Sequence, residues 1–263
     1  MRIATWNVNS LKARLAKVEE WLSYAGPDVL CMPETKMSDA AFPALAFAAL
    51  GYESAHHGNG RWNGVAILSR VGLENVQVGF SSELAEEIEE CRILTASCAG
   101  VRVSSVYVPN GRAVGSEQYE LKLAWLRRLR EELAASTTSD QAVAVCGDFN
   151  VAPQDRDVWD ISKFAGATHV SEPERALLAE LEAWGLVDAF RLVYPDTDKL
   201  YSWWDYRAGD FHKGRGMRID LVLVSKALAG SVRYALIDRE ARKGMGGERP
   251  PSDHAPLFVD LEA

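Results

Sequence analysis

Hydrophobic positions along the chain fall into two spacings. Apolar residues at three- and four-residue intervals mark helices. Over residues 10–24, Leu11, Leu15, Val18 and Leu22 form one stripe, with Ser10 placed as N-cap. Residues 116–135 carry Leu123, Leu126, Leu129 and Leu133 at the same spacing, again behind a serine. Residues 171–184 open on Ser171-Glu172-Pro173-Glu174, where Ser171 and Glu174 have capping-box spacing, and Gly185 stops the run. A less regular Ala-rich segment, 39–50, is interrupted by Pro43. Between the helices lie short β-branched runs at 2–6, 28–32, 64–69, 92–98, 101–108, 142–146, 218–224, 232–237 and 256–260. They are too short for helices and suit buried strands. Many strands with few, well-spaced helices predict an α/β fold of stacked sheets covered by helices. No repeat, low-complexity tract or Pro/Ser-rich linker divides the chain, so residues 1–263 are expected to form one domain.

Composition adds limits to this picture. Of 263 residues, 48% are hydrophobic and 25% charged, the balance of a soluble globule rather than a disordered chain. No apolar run approaches the ~20 residues of a membrane span. The start, Met1-Arg2-Ile3-Ala4-Thr5-Trp6, lacks a signal-peptide pattern, so a cytoplasmic location is the expectation. Cys31, Cys91, Cys98 and Cys146 lack metal-site spacing and read as buried, reduced thiols. The acidic run Glu83, Glu86, Glu87, Glu89 and Glu90 reads as a solvated face, and 136–140 as a surface loop. The net charge of −8, taken alone, disfavours nucleic acid as partner. The local field at a site decides that question, however, and a divalent cation changes the field.

Several apolar runs lead into or out of polar clusters. Ile3-Ala4-Thr5-Trp6 runs into Asn7-Val8-Asn9, and Val29-Leu30-Cys31-Met32 into Pro33-Glu34-Thr35-Lys36. Val106 leads to Tyr107-Val108-Pro109-Asn110-Gly111, and Val143-Ala144-Val145-Cys146 to Gly147-Asp148-Phe149-Asn150. Asp220 opens Leu221-Val222-Leu223-Val224, and Ser252-Asp253-His254 precedes Pro256-Leu257-Phe258-Val259. Any one of these alone is the ordinary chemistry of a turn. Gathered at one end of a sheet, they would make a site. Their side chains are carboxylates, carboxamides, a phenol and an imidazole, with no nucleophilic Ser or Cys beside a base. That set suits a hard cation such as Mg²⁺ and a water attacking phosphorus.

In their order, Thr5-Trp6-Asn7-Val8-Asn9, Pro33-Glu34-Thr35-Lys36, Tyr107-Val108-Pro109-Asn110-Gly111, Gly147-Asp148-Phe149-Asn150, Arg218-Ile219-Asp220 and Ser252-Asp253-His254-Ala255-Pro256 resemble the exonuclease III family. These are the AP endonucleases of the endonuclease–exonuclease–phosphatase superfamily. Tyr201-Ser202-Trp203-Trp204-Asp205-Tyr206-Arg207 and Gly216-Met217-Arg218-Ile219-Asp220 resemble its DNA-repair branch more specifically. The resemblance covers nearly the whole chain. It implies a four-layered α/β sandwich, two mixed β-sheets face to face flanked by helices. It also implies a Mg²⁺-dependent nuclease, with Mn²⁺ as substitute. Such an enzyme cuts double-stranded DNA 5′ to abasic sites and carries 3′→5′ exonuclease and 3′-phosphodiesterase activity. A monomer with no membrane association is expected.

The resemblance also implies roles. Glu34 is the principal metal ligand, with Asn7 near it and Asp253, Asp148, Asn150 and His254 contributing to the metal region. Asn9 stands where some relatives carry Asp, so the site has one negative charge fewer. Asp148 orients and deprotonates water or protonates the leaving oxygen, and Asn150 holds that water or a phosphate oxygen. His254 donates to phosphate, oriented by Asp220, and Tyr107 donates to the phosphate or leaving group. The general base stays open between Asp148 and His254. Trp203, Met217 and Ile219 are expected around a pocket for the baseless sugar, which is cheap to extrude from the stack. Arg112 and Arg207 are expected to press on DNA, with Lys213, Arg215, Arg218, Arg242 and Lys243 adding positive field. His56, His57, His169 and His212 are expected in surface or structural roles. Two other readings share the superfamily core: a phosphatase acting on lipid or small-molecule esters, and a non-catalytic nucleic-acid-binding regulator like the catabolite-repression control proteins.

Overall fold

Strands that are apolar on both faces need cover on both sides. The computed structural model, which describes residues 1–81, 90–243 and 250–262, supplies it. In chain order the elements are β1 (Arg2–Thr5), α1 (Leu11–Ala25), β2 (Val29–Pro33), α2 (Ala44–Ala49), β3 (Glu53–His57), β4 (Val65–Ser69), β5 (Glu74–Val78), β6 (Ile93–Cys98), β7 (Val101–Tyr107), α3 (Glu117–Ser136), β8 (Val143–Asp148), α4 (Glu172–Trp184), β9 (Leu186–Asp188), α5 (Ala189–Val193), α6 (Asp210–Lys213), β10 (Asp220–Ser225), α7 (Lys226–Ala229), β11 (Val232–Ile237) and β12 (Leu257–Leu261). One six-stranded sheet has the order β11-β12-β1-β2-β4-β3, and the other β5-β6-β7-β8-β10-β9. Both are mixed: β1–β2 and β7–β8 pair in parallel, and the other pairs run antiparallel.

Alternation along each strand sorts the side chains into layers. Ile3, Val29 and Cys31 from the first sheet meet Ala144, Cys146 and Val222 from the second in a central core. The intervening Ala4, Leu30 and Met32 face Trp21 and Leu22 of α1. On the far side, Val143 and Val145 pack on Leu126 and Leu129 of α3 and Leu181 of α4. The result is the four-layered sandwich the family resemblance implies.

The helices at 116–135 and 171–184 form with the expected caps. Ser116 accepts from the Tyr119 amide, the Ser171–Glu174 capping box is complete, and Gly185 ends α4. Ser10 departs from expectation. Its φ of 84° and lack of a side-chain cap bond make it a turn residue, not a cap. The 39–50 segment splits into a 3₁₀ turn, Asp39–Ala41, and α2, which begins only after Pro43. Strands β3, β5 and β9 were not anticipated. All three are sheet edges. β3 and β5 expose enough surface to carry polar residues, which hides them from a hydrophobic pattern. The acidic run, apart from Glu90, lies outside the described residues. All four cysteines are free and buried. Among the described residues no helix is long and apolar enough to cross a membrane.

Candidate active site

The sheet topology brings the polar clusters to one end of the sandwich. β1, β2, β7 and β8 all finish there, β10 starts there in antiparallel register with Asp220 opposite Asp148, and the segment entering β12 carries Asp253 and His254. Gly147 makes the approach of β8 to β7 possible, since a Cβ would lie 1.9 Å from the Val106 carbonyl oxygen. Twelve described non-glycine residues have positive φ, and Asn9, Glu34, Lys36, Asn150 and His169 of this region are among them. Strained backbone concentrates where side chains must be aimed.

At the centre, His254 Nδ1 lies 2.8 Å from Asp220 Oδ2, and its Nε2 lies 3.8 Å from Asp148 Oδ2. All three residues are buried. Asp148 Oδ2 accepts from Asn7 Nδ2 at 2.9 Å, and its Oδ1 accepts from the Asn150 amide at 2.9 Å. Asp220 Oδ1 has no hydrogen-bond partner. Burial pushes Asp148 up to about 7 against the pull of His254, with the Asp220 and Glu34 carboxylates adding to the rise. Burial alone would lower His254, but the Asp220 and Asp148 carboxylates raise it to about 10. The imidazole is therefore cationic at neutral pH.

Glu34 stands beside this group. Its Oε1 accepts from Asn7 Nδ2 at 3.1 Å, and its Oε2 lies 2.7 Å from Lys36 Nζ. Lys36 also donates to Asn9 Oδ1 at 2.7 Å, and Asn9 donates to Asp253 Oδ1 at 2.9 Å. Burial, followed by the neighbouring Glu34 and Asp148 carboxylates, holds the Tyr107 phenol well above its ordinary range. Asn150 donates to the Val108 carbonyl at 3.0 Å and accepts from Asn110 at 3.2 Å. A cavity of about 170 Å³ joins Glu34, Asp148, Asn150, Asp253 and His254 to Trp203, Met217 and Ile219. Trp203 and Met217 exchange backbone hydrogen bonds at 2.9 Å, and Trp203 Nε1 donates to Asp253 Oδ2 at 3.1 Å. Glu34 and Asp253 offer carboxylate oxygens to this cavity, and Asn7 stands beside Glu34. Asp148, Asp220 and His254 also have ligand atoms within 4.8 Å of one another, although His254 Nδ1 is already engaged.

A model of the Endonuclease/Exonuclease/phosphatase family matches residues 4–254. The chain belongs to that family. Within it the resemblance is to the exonuclease III type of nuclease. Exodeoxyribonuclease III from Haemophilus influenzae is 31% identical, with 100% of each chain covered. An AP endonuclease structure from Archaeoglobus fulgidus superposes with a TM-score of 0.94 at 36% identity, covering 100% of both chains. A 3′ phosphatase from Neisseria, bound to a product DNA hairpin, gives 0.92 at 34% identity, again over 100% of both chains.

The residues read as DNA contacts or as positive field are placed in different ways. Arg218 contributes no field at the surface, because it is fully buried between Asp157 and Asp188. Arg242 is buried against the Tyr206 and Phe211 rings, and Arg215 lies over Trp159. Lys213 bonds the Ala208 carbonyl and Lys243 pairs with Glu240. Arg207 is exposed but paired with Asp205. Arg112 is exposed, on a neighbouring groove with Trp62 and Tyr107. His169, expected in a surface or structural role, lines the same cavity as Asp148 and His254, and its Nδ1 donates to the Asn150 carbonyl at 2.5 Å. Its φ of 75° was the hidden signal, and only coordinates reveal it. Ser202 was also missed. Its buried hydroxyl accepts from the Ile219 and Asp220 amides and sets the start of β10.

Proposed function

We propose that this chain is a Mg²⁺-dependent DNA-repair hydrolase, with Mn²⁺ as substitute. It cuts the phosphodiester 5′ to abasic nucleotides in double-stranded DNA and removes nucleotides and blocking groups from 3′ ends. It acts as a cytoplasmic, monomeric, single-domain enzyme. The observation that carries this reading is the single cavity in which Glu34, Asp148 and His254 face the apolar wall of Trp203, Met217 and Ile219. The carboxylates of Glu34, Asp148, Asp220 and Asp253 outnumber the nearby cations Lys36 and His254, a balance that fits a divalent cation. When bound by Glu34 and Asn7 near Asp253, that cation supplies polarisation of the scissile phosphate.

The chain's own groups supply the rest. Asp148, raised to about 7, takes the proton of the attacking water, which Asn150 holds in place. Cationic His254 keeps its Nδ1 proton on Asp220 and offers Nε2–H to a non-bridging phosphate oxygen. Tyr107 remains protonated and donates to the phosphate or the leaving oxygen. Arg112 and Arg207 contact the DNA backbone.

One observation favours 3′ ends over internal abasic sites. The His169 ring lines the cavity that would receive an extruded sugar and takes up space there beside Asn150. A 3′-terminal phosphate reaches Asp148 and His254 without burying a whole sugar drawn from mid-strand. The test compares a duplex carrying one abasic site, a nicked duplex with a 3′-phosphate, and undamaged duplex, each in Mg²⁺ and in EDTA. Wild type should act on both damaged substrates in Mg²⁺ alone, faster at the 3′-phosphate. Glu34→Ala should lose both activities, and His169→Gly should raise abasic incision relative to 3′-phosphate removal. Absence of turnover on DNA in any metal would move the assignment to the regulator or to non-DNA esters.

A further inference from the structure

Lys122 lies in the middle of α3 and is fully buried, a rare state for lysine. Its neighbours Leu123, Leu126 and Leu129 complete the helix packing without it. The ammonium instead reaches out to the loops around the active site. Nζ donates to the carbonyl oxygens of Asn150 at 2.6 Å and Asn110 at 3.2 Å, to Thr168 Oγ1 at 3.3 Å, and to the buried carboxylate of Glu174. Glu174 in turn accepts from Thr168 Oγ1 at 2.8 Å and from the His169 and Ser171 amides at 3.0 Å each. The same loops come together at Gly111, where a Cβ would lie 2.9 Å from Lys122 Cδ and 2.8 Å from Thr168 Oγ1.

Three chain segments that share no secondary structure are clasped by one ion pair. They are the loop after β7, the loop after β8 and the lead into α4. The second and third hold Asn150 and His169 at positive φ, which these residues keep only where their surroundings fix it. We infer that the Lys122–Glu174 pair is a positioning device, setting Asn150, Asn110 and His169 at the catalytic cavity and acting on the reaction only through them. This rests on the hydrolase reading above.

The test separates positioning from stability. A lone Lys122→Met leaves Glu174 buried and unpaired, so it should lower both the melting temperature and the rate. Lys122→Met combined with Glu174→Gln removes both charges and keeps a capping-box residue, so its melting temperature should return towards wild type. Its kcat on a 3′-phosphate duplex should still fall about 10²-fold, as expected for a displaced catalytic group, with KM little changed. Recovery of kcat along with the melting temperature would overturn the inference and leave the pair a purely structural element. If the double variant remains unstable, single-turnover rates well below its melting temperature decide, and a rate within threefold of wild type overturns the inference. A wild type inactive on DNA would instead overturn the reading beneath it.

Discussion

Two buried charge clusters lie on either side of Ile219 and are built differently. Around Arg218, two guanidiniums meet two carboxylates. Arg218 Nε and Nη2 bond Asp157 at 2.7 and 3.2 Å, its Nη1 bonds Asp188 at 2.7 Å, and Arg191 bonds Asp157 at 2.5 Å. Two residues further on, Asp220 joins Asp148, Glu34 and Asp253, where carboxylates exceed cations and Asp220 Oδ1 has no partner. Titration follows the difference. Burial alone would raise Asp157, but Arg218 and Arg191 pull it below the usual carboxylate range. Asp148 is raised to about 7. A matched cluster fixes the loop before α4 and the edge of the sheet, whereas a mismatched one waits for a ligand and a proton.

The largest expected effect falls on catalysis. Asp148→Asn should cut the rate about 10³- to 10⁴-fold, equivalent to about 4–5 kcal/mol of barrier. Thermal unfolding should show the variant as stable as wild type or more so, because a carboxylate resisting burial is gone. A variant that loses stability in step with activity would make Asp148 as structural as Asp157 and erase the contrast.

The reverse pattern is expected at the matched cluster. Arg218→Met strands Asp157 and Asp188 without their shared cation, which should cost about 3–5 kcal/mol of stability. For a chain of this size that lowers the melting temperature by about 10 °C. Rates measured well below melting should change less than tenfold. An Arg218→Met protein that melts with wild type would show that the charge match contributes nothing to the fold.

Sequence legibility divides along similar lines. β1, β2, β7 and β8 were readable because both faces of each are buried, leaving unbroken apolar runs that end in polar clusters. β3 and β5 were not, since these edge strands are only partly covered and carry polar residues that break the apolar run. Glu34, Asp148, Asp220 and His254 were placed through motif resemblance; Glu34, Asp148 and His254 line one cavity, and Asp220 stands behind them, bonded to His254. Arg218 was misread because an arginine beside a site motif looks like a DNA contact in one dimension, and its carboxylate partners lie 61 and 30 residues away. Lys122 and Glu174, 52 residues apart, gave no hint of each other. Residues tied to strand ends were legible, and those joined only by long-range ion pairing were not.

The smallest effect tests which proton the mismatched cluster uses. Asp220 lies 2.8 Å from His254 and is foremost among the groups raising its pKa to about 10. Asp220→Asn removes that charge, so the imidazole should lose its proton at a lower pH. If His254 acts as a cation towards phosphate, activity is present below its pKa and lost above it. The alkaline limb of kcat should then move to lower pH by one unit or more, about 1.4 kcal/mol of differential interaction per unit. The acid limb, set by Asp148, should move slightly to lower pH as well, because a neighbouring carboxylate that opposed its ionisation is gone. If His254 were the general base, the neutral ring would be the active form. Asp220→Asn would then extend activity towards acid pH and leave the alkaline side flat. The pH profiles of wild type and Asp220→Asn, taken on the same 3′-phosphate duplex, separate the two assignments by whether an alkaline limb moves to lower pH or the alkaline side stays flat.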